Sequence, residues 1–199
     1  MSHHPIFFKL GKTVNPGLTP EGKLFKLIEN NIAAICLHTN MDIAIGGVND
    51  MLIAKLSLTP AGAFSVTNEE FGNCIGRIGK LGSPMSAIDF AAHVRDALGC
   101  DAVKLCDTGA EVHVVGVVGG AGGSLAPEAL AAGCDTYVTS EVKHHQYLEA
   151  MELGVNLIDA GHYHTERFIT DRFVRVLSKF DELTVLRSVT LDRDIVKVV

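Results

Sequence analysis

None of the five cysteines (Cys36, Cys74, Cys100, Cys106, Cys134) falls in a C-x-x-C pair, and their number is odd. That excludes a disulfide frame or a zinc knuckle and points to reduced thiols in a cytosolic protein. No stretch approaches the roughly 20 apolar residues of a membrane helix. The N-terminus also lacks the basic-then-apolar pattern of a signal peptide. Charged residues are only 20%, under the usual share of about 25%, which argues against a disordered chain. Lys and Arg number 17 against 23 Asp and Glu, for a net charge of −6 and a pI near 5.8. This balance gives no electrostatic reason to expect duplex DNA or an anionic membrane as partner. No repeat of short fixed period is present.

What the chain does have is 47% apolar residues, enough to fold without staples, and 20 glycines in 199 residues. Glycine in excess of the usual level of about 7% suggests many tight turns, as in an α/β protein. The length fits one large domain or two small lobes sharing a core. Helical spacing is expected over Glu21–Asn31, Gly46–Leu56, Ser86–Leu98, Leu125–Ala132 and from about Glu141 to Glu152. Ser86 is a natural N-cap for its helix and Gly99 a natural stop. A further helix beginning near His162 carries Phe168, Ile169, Phe173, Val176, Leu177 and Phe180 on one stripe. Buried-type strands are expected at Ile32–Leu37, Val112–Val118, Thr136–Thr139 and Val155–Ile158, with Leu183–Thr190 and Ile195–Val199 as closing antiparallel strands. Leu58–Gly82, rich in Thr, Gly, Asn and Pro, reads as an irregular loop or a change of lobe. Strands alternating with helices indicate an α/β fold.

Nine histidines are many for such a chain, and several follow strands, where α/β proteins bind ligands. His162 and Glu166 stand four apart, so on a helix they are offset by roughly 40° and share a face. An imidazole and a carboxylate there suit Zn²⁺, Mn²⁺ or Fe²⁺; the alternative is an ordinary helix start with Glu favoured by the dipole, and the pair alone does not decide for the metal. His38 and Asp42 directly follow the expected Ile32–Leu37 strand, a position from which side chains can point into a cleft. Asp42 reads either as a ligand, terminal or bridging, or as a helix cap, and His38 either as a hydrogen-bonding residue or as a ligand. His3-His4, followed by Pro5-Ile6-Phe7-Phe8, do not look like an affinity tag. As neighbours in a non-helical segment they suit one imidazole for each of two ions. The Gly119–Ser124 loop joins a strand to a helix and matches neither G-x-G-x-x-G nor a P-loop. Gly119, Gly120 and Gly122 either present N–H groups to an anion or make a sterically tight turn. Of His144 and His145, about 100° apart on a helix, at most one can face a site, and His145 is slightly favoured.

Taken together, the stretches Ser2-His3-His4-Pro5-Ile6-Phe7, His38-Thr39-Asn40-Met41-Asp42, Gly46-Gly47-Val48-Asn49-Asp50, Gly119-Gly120-Ala121-Gly122 and Asp159-Ala160-Gly161-His162-Tyr163 with Thr165-Glu166 resemble the NIF-three-like family. These are ring-forming, dinuclear-metal proteins often described as GTP cyclohydrolase I type 2 homologues. The match runs in order over essentially the whole chain. The resemblance implies an α/β fold of two lobes with mixed sheets flanked by helices. The chain, 1–199, is then a single family unit, with approximate lobes 1–60 together with 155–199, and 61–154. It implies two divalent ions (Zn, Fe or Mn) held by His3, His4, Asp42, His162 and Glu166. Asp42 and Glu166 would bridge, with His38 close by. A homohexamer in the cytoplasm is implied as well.

Family members usually carry a further N-terminal region that delivers the His-His-Pro turn. Either the start is misassigned or this is a shortened form; in a shortened form His3 and His4 are expected to sit on a frayed terminus and to bind metal more weakly than in an extended one. The activity implied is that of a divalent-metal-dependent hydrolase of cyclohydrolase or phosphoesterase type, acting on a nucleotide or phosphoester. Two ions roughly 3.5–4 Å apart would share a water, lower its pKa and polarise the substrate. Glu166, Asp42 and His38 would be its catalytic residues, with Gly119, Gly120, Gly122 and His145 at the phosphate. The other reading is a non-catalytic metal-binding regulator or adaptor that acts through protein partners.

Overall fold

In the computed structural model all residues are described except 10, 12, 13, 18–20, 69, 71, 72 and 191. By its internal contacts the chain divides into two compact units, Met1–Met41 and Asp42–Val199.

Among the described residues of the first unit one full helix forms, α1 (Glu21–Glu29), none of whose residues is buried. The first residues also pair with the segment before His38. Ser2 N–H donates to Ile35 O (2.9 Å) and Leu37 N–H donates to Ser2 O (2.9 Å), making an isolated parallel bridge between Ser2 and Cys36. The strand expected at Ile32–Leu37 is therefore reduced to this bridge. Ile32 and Ile35 are exposed, so the run's apolar character does not reflect burial. The frayed terminus expected for His3 and His4 is also corrected, because two backbone hydrogen bonds tie Ser2 down. A short helix, α2 (Thr39–Ile43), follows.

The second unit is built on one six-stranded sheet of order β1-β2-β4-β5-β6-β3. Its strands are β1 (Thr59–Asn68), β2 (Asn73–Met85), β3 (Lys104–Cys106), β4 (Val112–Val117), β5 (Thr136–Thr139) and β6 (Asn156–Asp159). β4, β5 and β6 run parallel, whereas β1–β2, β2–β4 and β3–β6 pair antiparallel. The sheet is mixed and the fold is α/β. This one sheet takes strands from both sides of the lobe boundaries expected at residues 61 and 155.

The long β1–β2 ribbon replaces the irregular loop expected at Leu58–Gly82; residues 69, 71 and 72 of that stretch lie outside the described ones. Two of its glycines, Gly76 and Gly79, serve packing. Phe64 stands opposite Gly76 in the register, and a Cβ on Gly76 would run into the Phe64 ring. A Cβ on Gly79 would lie 2.6 Å from Leu58 Cβ. Glycine in a strand thus marks close approach of a neighbour here, not a break. Pro60 lies in β1, the edge strand, where a missing N–H is tolerated.

Helices cover the sheet: α3 (Val48–Lys55) packs on β1, β2 and β4, α5 (Ala126–Ala131) on β1 and β5, and α6 (His144–Leu153) on β3 and β6. Valines make β4 an inward strand, with Val112, Val115 and Val117 fully buried beside Val48, Leu52 and Leu56 of the α3 segment. α4 (Ala87–Leu98) starts as its sequence predicts, with Ser86 Oγ accepting from Asp89 N (3.1 Å), and ends on Gly99 at φ 68°. The helix expected from His162 onward is divided into α7 (His162–Glu166) and α8 (Ile169–Leu177). At the junction, Asp171 N–H donates to Phe168 O (3.1 Å), an i to i+3 bond that tightens the turn.

The closing strands expected at Leu183–Thr190 and Ile195–Val199 do not form. The described residues there have no ladder, and Leu186, Val189, Ile195 and Val196 are exposed. Side chains hold this segment to α7 and α8 instead. Tyr163 Oη donates to Asp192 Oδ1 (3.0 Å), Arg187 pairs with Asp171 and with Asp192 (2.6 Å), and His164 Nε2 lies 3.1 Å from Asp194 Oδ2.

Candidate metal centre

Each unit gathers its own set of metal-type donors. In the first, His3, His4 and His38 each offer a ring nitrogen, and the three atoms lie within 4.8 Å of one another. The ring centroids of His3 and His38 are 5.0 Å apart, those of His4 and His38 5.4 Å, and those of His3 and His4 5.1 Å. His3 Nδ1 lies 2.9 Å from Leu37 O. Donation of Nδ1–H to that carbonyl would make Nε2 the nitrogen offered to an ion. The Ser2–Cys36 bridge brings His3 and His4 beside His38, and Phe8 sets its ring edge-on to His38 at 5.3 Å.

In the second unit three parallel strands deliver a site to their common carboxyl end, where such sheets bind ligands. β4 leads into Gly119-Gly120, β5 into Ser140-Glu141, and β6 into Asp159-Ala160-Gly161 and α7. His162 and Glu166, one turn apart on α7, converge as their spacing predicts, with Nε2 3.1 Å from Oε2. An Asp42 oxygen and a Glu166 oxygen lie within 4.8 Å of each other. Both carboxylates are buried, at 7% and 6% exposure. On its other side His162 Nδ1 meets Glu141 Oε1 at 2.7 Å. The hydrogen bond to Glu166 raises the His162 pKa to about 9 against the opposing effect of burial, and Glu141 adds to the rise. An imidazole that holds its proton between two carboxylates marks a place where positive charge is favoured, which is the electrostatic requirement of a cation site.

The glycine loop forms the floor of this set. Gly120 has φ 67°, and a Cβ there would strike the Glu166 carboxylate and lie 3.2 Å from His162 Nε2. Its amides are engaged inside the protein. Gly119 N–H donates to Asn49 Oδ1 (2.7 Å), Gly120 N–H to Thr165 Oγ1 (3.0 Å) and Gly122 N–H to Thr139 Oγ1 (3.1 Å). Of the two readings left open for the loop, the structure builds the tight turn, and the anion cradle expected of Gly119, Gly120 and Gly122 lacks its donors. His145 is exposed, as is His144, and Gln146 is the inward residue of that turn.

Three residues of this region carry no signal that sequence spacing reveals. Asn49 is wholly buried, donates from Nδ2 to Asp42 O (3.1 Å) and Ile75 O (2.7 Å), and accepts from Gly119. It joins the Asp42 helix end, strand β2 and the glycine turn. Thr165 holds Gly120 from α7. Glu141 reaches His162 across 21 residues. Asn49 and Thr165 stand in stretches that the family resemblance marks, and nothing in those stretches shows which bonds they make; Glu141 stands in none.

A model of the Duf34/NIF3 (NGG1p interacting factor 3) family matches residues 1–193. The chain belongs to this family. Curated relatives include a GTP cyclohydrolase 1 type 2 homolog of Pseudomonas aeruginosa, 34% identical over 83% of this chain and 64% of its own length. A NIF3 homolog of Schizosaccharomyces pombe is 32% identical over 84% of this chain and 62% of its own length. The chain spans a little under two thirds of the first curated relatives it matches. Among solved structures, reduced HcgD from Methanocaldococcus jannaschii aligns over 89% of this chain and 68% of its own, with a TM-score of 0.71 and 28% identity. The Staphylococcus aureus protein SA1388 aligns over 99% of this chain and 78% of its own, with a TM-score of 0.83 and 23% identity, a likeness of fold. No helix among the described residues is long and apolar enough to cross a membrane.

Proposed function

We propose that this protein is a divalent-metal-dependent hydrolase with a dinuclear centre formed by His3, His4, Asp42, His162 and Glu166. The observation that carries the reading is the pairing, in the second unit, of two buried carboxylates with an imidazole. The first unit contributes a second donor set, a cluster of three imidazoles. Nitrogen and carboxylate oxygen are the donors that Zn²⁺, Fe²⁺ and Mn²⁺ share, so the residues present fit such ions. Asp42 and Glu166 are the bridging candidates, because a carboxylate offers one oxygen to each of two ions. When bound, an ion pair of this kind acidifies water and polarises the substrate.

The chain's own residues then have separate tasks. Gly120 leaves room for Glu166, Asn49 anchors the segments carrying Asp42 and Gly119, and Glu141 engages His162. His38, beside His3 and His4, is the imidazole we assign to proton transfer. The substrate class we propose is a nucleotide or phosphoester, on the strength of the name GTP cyclohydrolase 1 type 2 homolog carried by relatives. The working form we propose is a cytoplasmic homohexamer.

A second reading, a metal-binding adaptor, is favoured by the exposed apolar side chains of Leu186, Val189, Ile195 and Val196, which suit a protein partner. Incubation of metal-loaded protein with GTP and a panel of phosphoesters separates the two. Turnover lost in Glu166→Gln and Asp42→Asn supports the hydrolase. Tight metal binding with no turnover on any substrate favours the adaptor.

A further inference from the structure

Glu141 occupies a backbone conformation that its side chain does not explain locally. Its φ is 53°, in the left-handed region that residues other than Gly, Asn and Asp enter rarely. The turn is held on both sides. Ser140 N–H and Oγ–H both donate to Gly120 O (3.0 and 2.6 Å), and Val142 N–H donates to Asp159 Oδ2 (3.2 Å). Glycine would adopt this turn with less strain. The glutamate is 58% exposed, so core packing does not require it either. What it does is meet His162 Nδ1 at 2.7 Å, the nitrogen opposite the one that faces Glu166. Strain retained at an exposed residue that engages a candidate ligand is the pattern expected of a functional position.

We propose that Glu141 is a positioning residue for the metal centre. Its carboxylate accepts the Nδ1 proton of His162, fixes the ring's orientation and tautomer, and commits Nε2 to the cation. This is the carboxylate–histidine–metal arrangement, in which the outer carboxylate also makes the imidazole a better donor. The inference rests on the reading of His162 as a ligand, and the experiment separates the two.

Zinc affinity is measured on the full chain by competition with a chromophoric chelator, for wild type, Glu141→Gln, Glu141→Ala and Glu141→Gly. Metal-free thermal stability and the visible spectrum of the cobalt(II) form are recorded alongside. Glu141→Ala and Glu141→Gly are expected to bind zinc ten- to a hundred-fold more weakly. Glu141→Gln, which still accepts the Nδ1 proton but carries no charge, falls between them and wild type. Metal-free Glu141→Gly is at least as stable as wild type because the left-handed turn suits glycine. The cobalt band shifts in the Ala and Gly variants. Equal zinc affinity across the series overturns the role of Glu141 and leaves the metal reading intact. Loss of affinity accompanied by loss of metal-free stability in Glu141→Gly overturns it too, since that marks a structural residue. A wild type that binds no zinc, cobalt, iron or manganese overturns the metal reading and the inference together.

Discussion

Replacing Asn49 by Asp or by Ala tests whether the polar frame around the site is held by hydrogen bonding or by shape. The side chain is fully buried and makes three bonds: two from Nδ2, to Asp42 O and Ile75 O, and one to Oδ1 from Gly119 N–H. The two carbonyls facing Nδ2 fix the orientation of the amide, because a flipped amide would set oxygen against oxygen. Alanine removes all three partners and leaves buried backbone groups unsatisfied, each at about 1 kcal/mol or more, so Asn49→Ala should lose about 3 kcal/mol. That is a large fraction of a typical total of about 5–15 kcal/mol. Aspartate has nearly the same shape and keeps the acceptor for Gly119 N–H, but its second oxygen would face Asp42 O and Ile75 O. Burial and these carbonyl dipoles disfavour the carboxylate, so its pKa in the folded variant is raised above the unfolded value. The unfolded chain then releases the proton first, and stability falls as pH rises through that window. Asn49→Asp should therefore be at least as damaging as Asn49→Ala at pH 7 and recover toward pH 5, while Asn49→Ala shows no such recovery. Urea unfolding at the two pH values provides the measurement. An Asn49→Asp variant within about 1 kcal/mol of wild type at pH 7 would refute the reasoning, since the hydrogen bonds would then contribute less than the amide's shape.

Gly120→Ala places a methyl group against Glu166 and His162 at a residue with φ 67°; it should cost about 1–2 kcal/mol of stability from backbone strain and weaken zinc binding, both read from denaturation with and without metal. Gly76→Ala should lose about 1–3 kcal/mol because the Phe64 ring cannot stay where it is, measured by urea unfolding, with an unchanged midpoint as the contrary result. Burial raises the Cys100 and Cys134 thiols from 9.0 to about 11. At pH 8 about one in a thousand of each thiol is then ionised, against about one in ten for a thiol at 9.0. Iodoacetamide labelling followed by mass spectrometry should show both sites slow and accelerating about ten-fold per pH unit toward pH 11. For the same reason the unfolded chain releases these protons first, and stability should decline between pH 9 and 11. Ser86→Ala removes the α4 cap and should cost about 1 kcal/mol by thermal melting.

Elements whose signals are local are legible in the order of residues alone. α4 is bounded by its own cap and glycine, the β-branched and aromatic tetrad Thr136–Thr139 is β5, and the spacing of His162 and Glu166 puts them on one face of α7. The α/β class and the family followed from the order of such pieces. Features that depend on a distant partner required the folded chain. Gly76 and Gly79 read as loop residues until Phe64, Leu58 and Ile53 are seen against them. The apolar runs at Ile32–Leu37 and Leu183–Val199 have strand composition, yet a strand needs a neighbouring edge: the first has only the Ser2–Cys36 bridge, and the described residues of the second have none. At the candidate site, residue type and spacing show which side chains can hold a cation. Only packing decides that the glycine amides are engaged by Asn49, Thr165 and Thr139, or that Glu141 reaches His162. A hydrogen bond between residues far apart in the chain leaves no periodic trace in either segment, so tertiary structure alone supplies it.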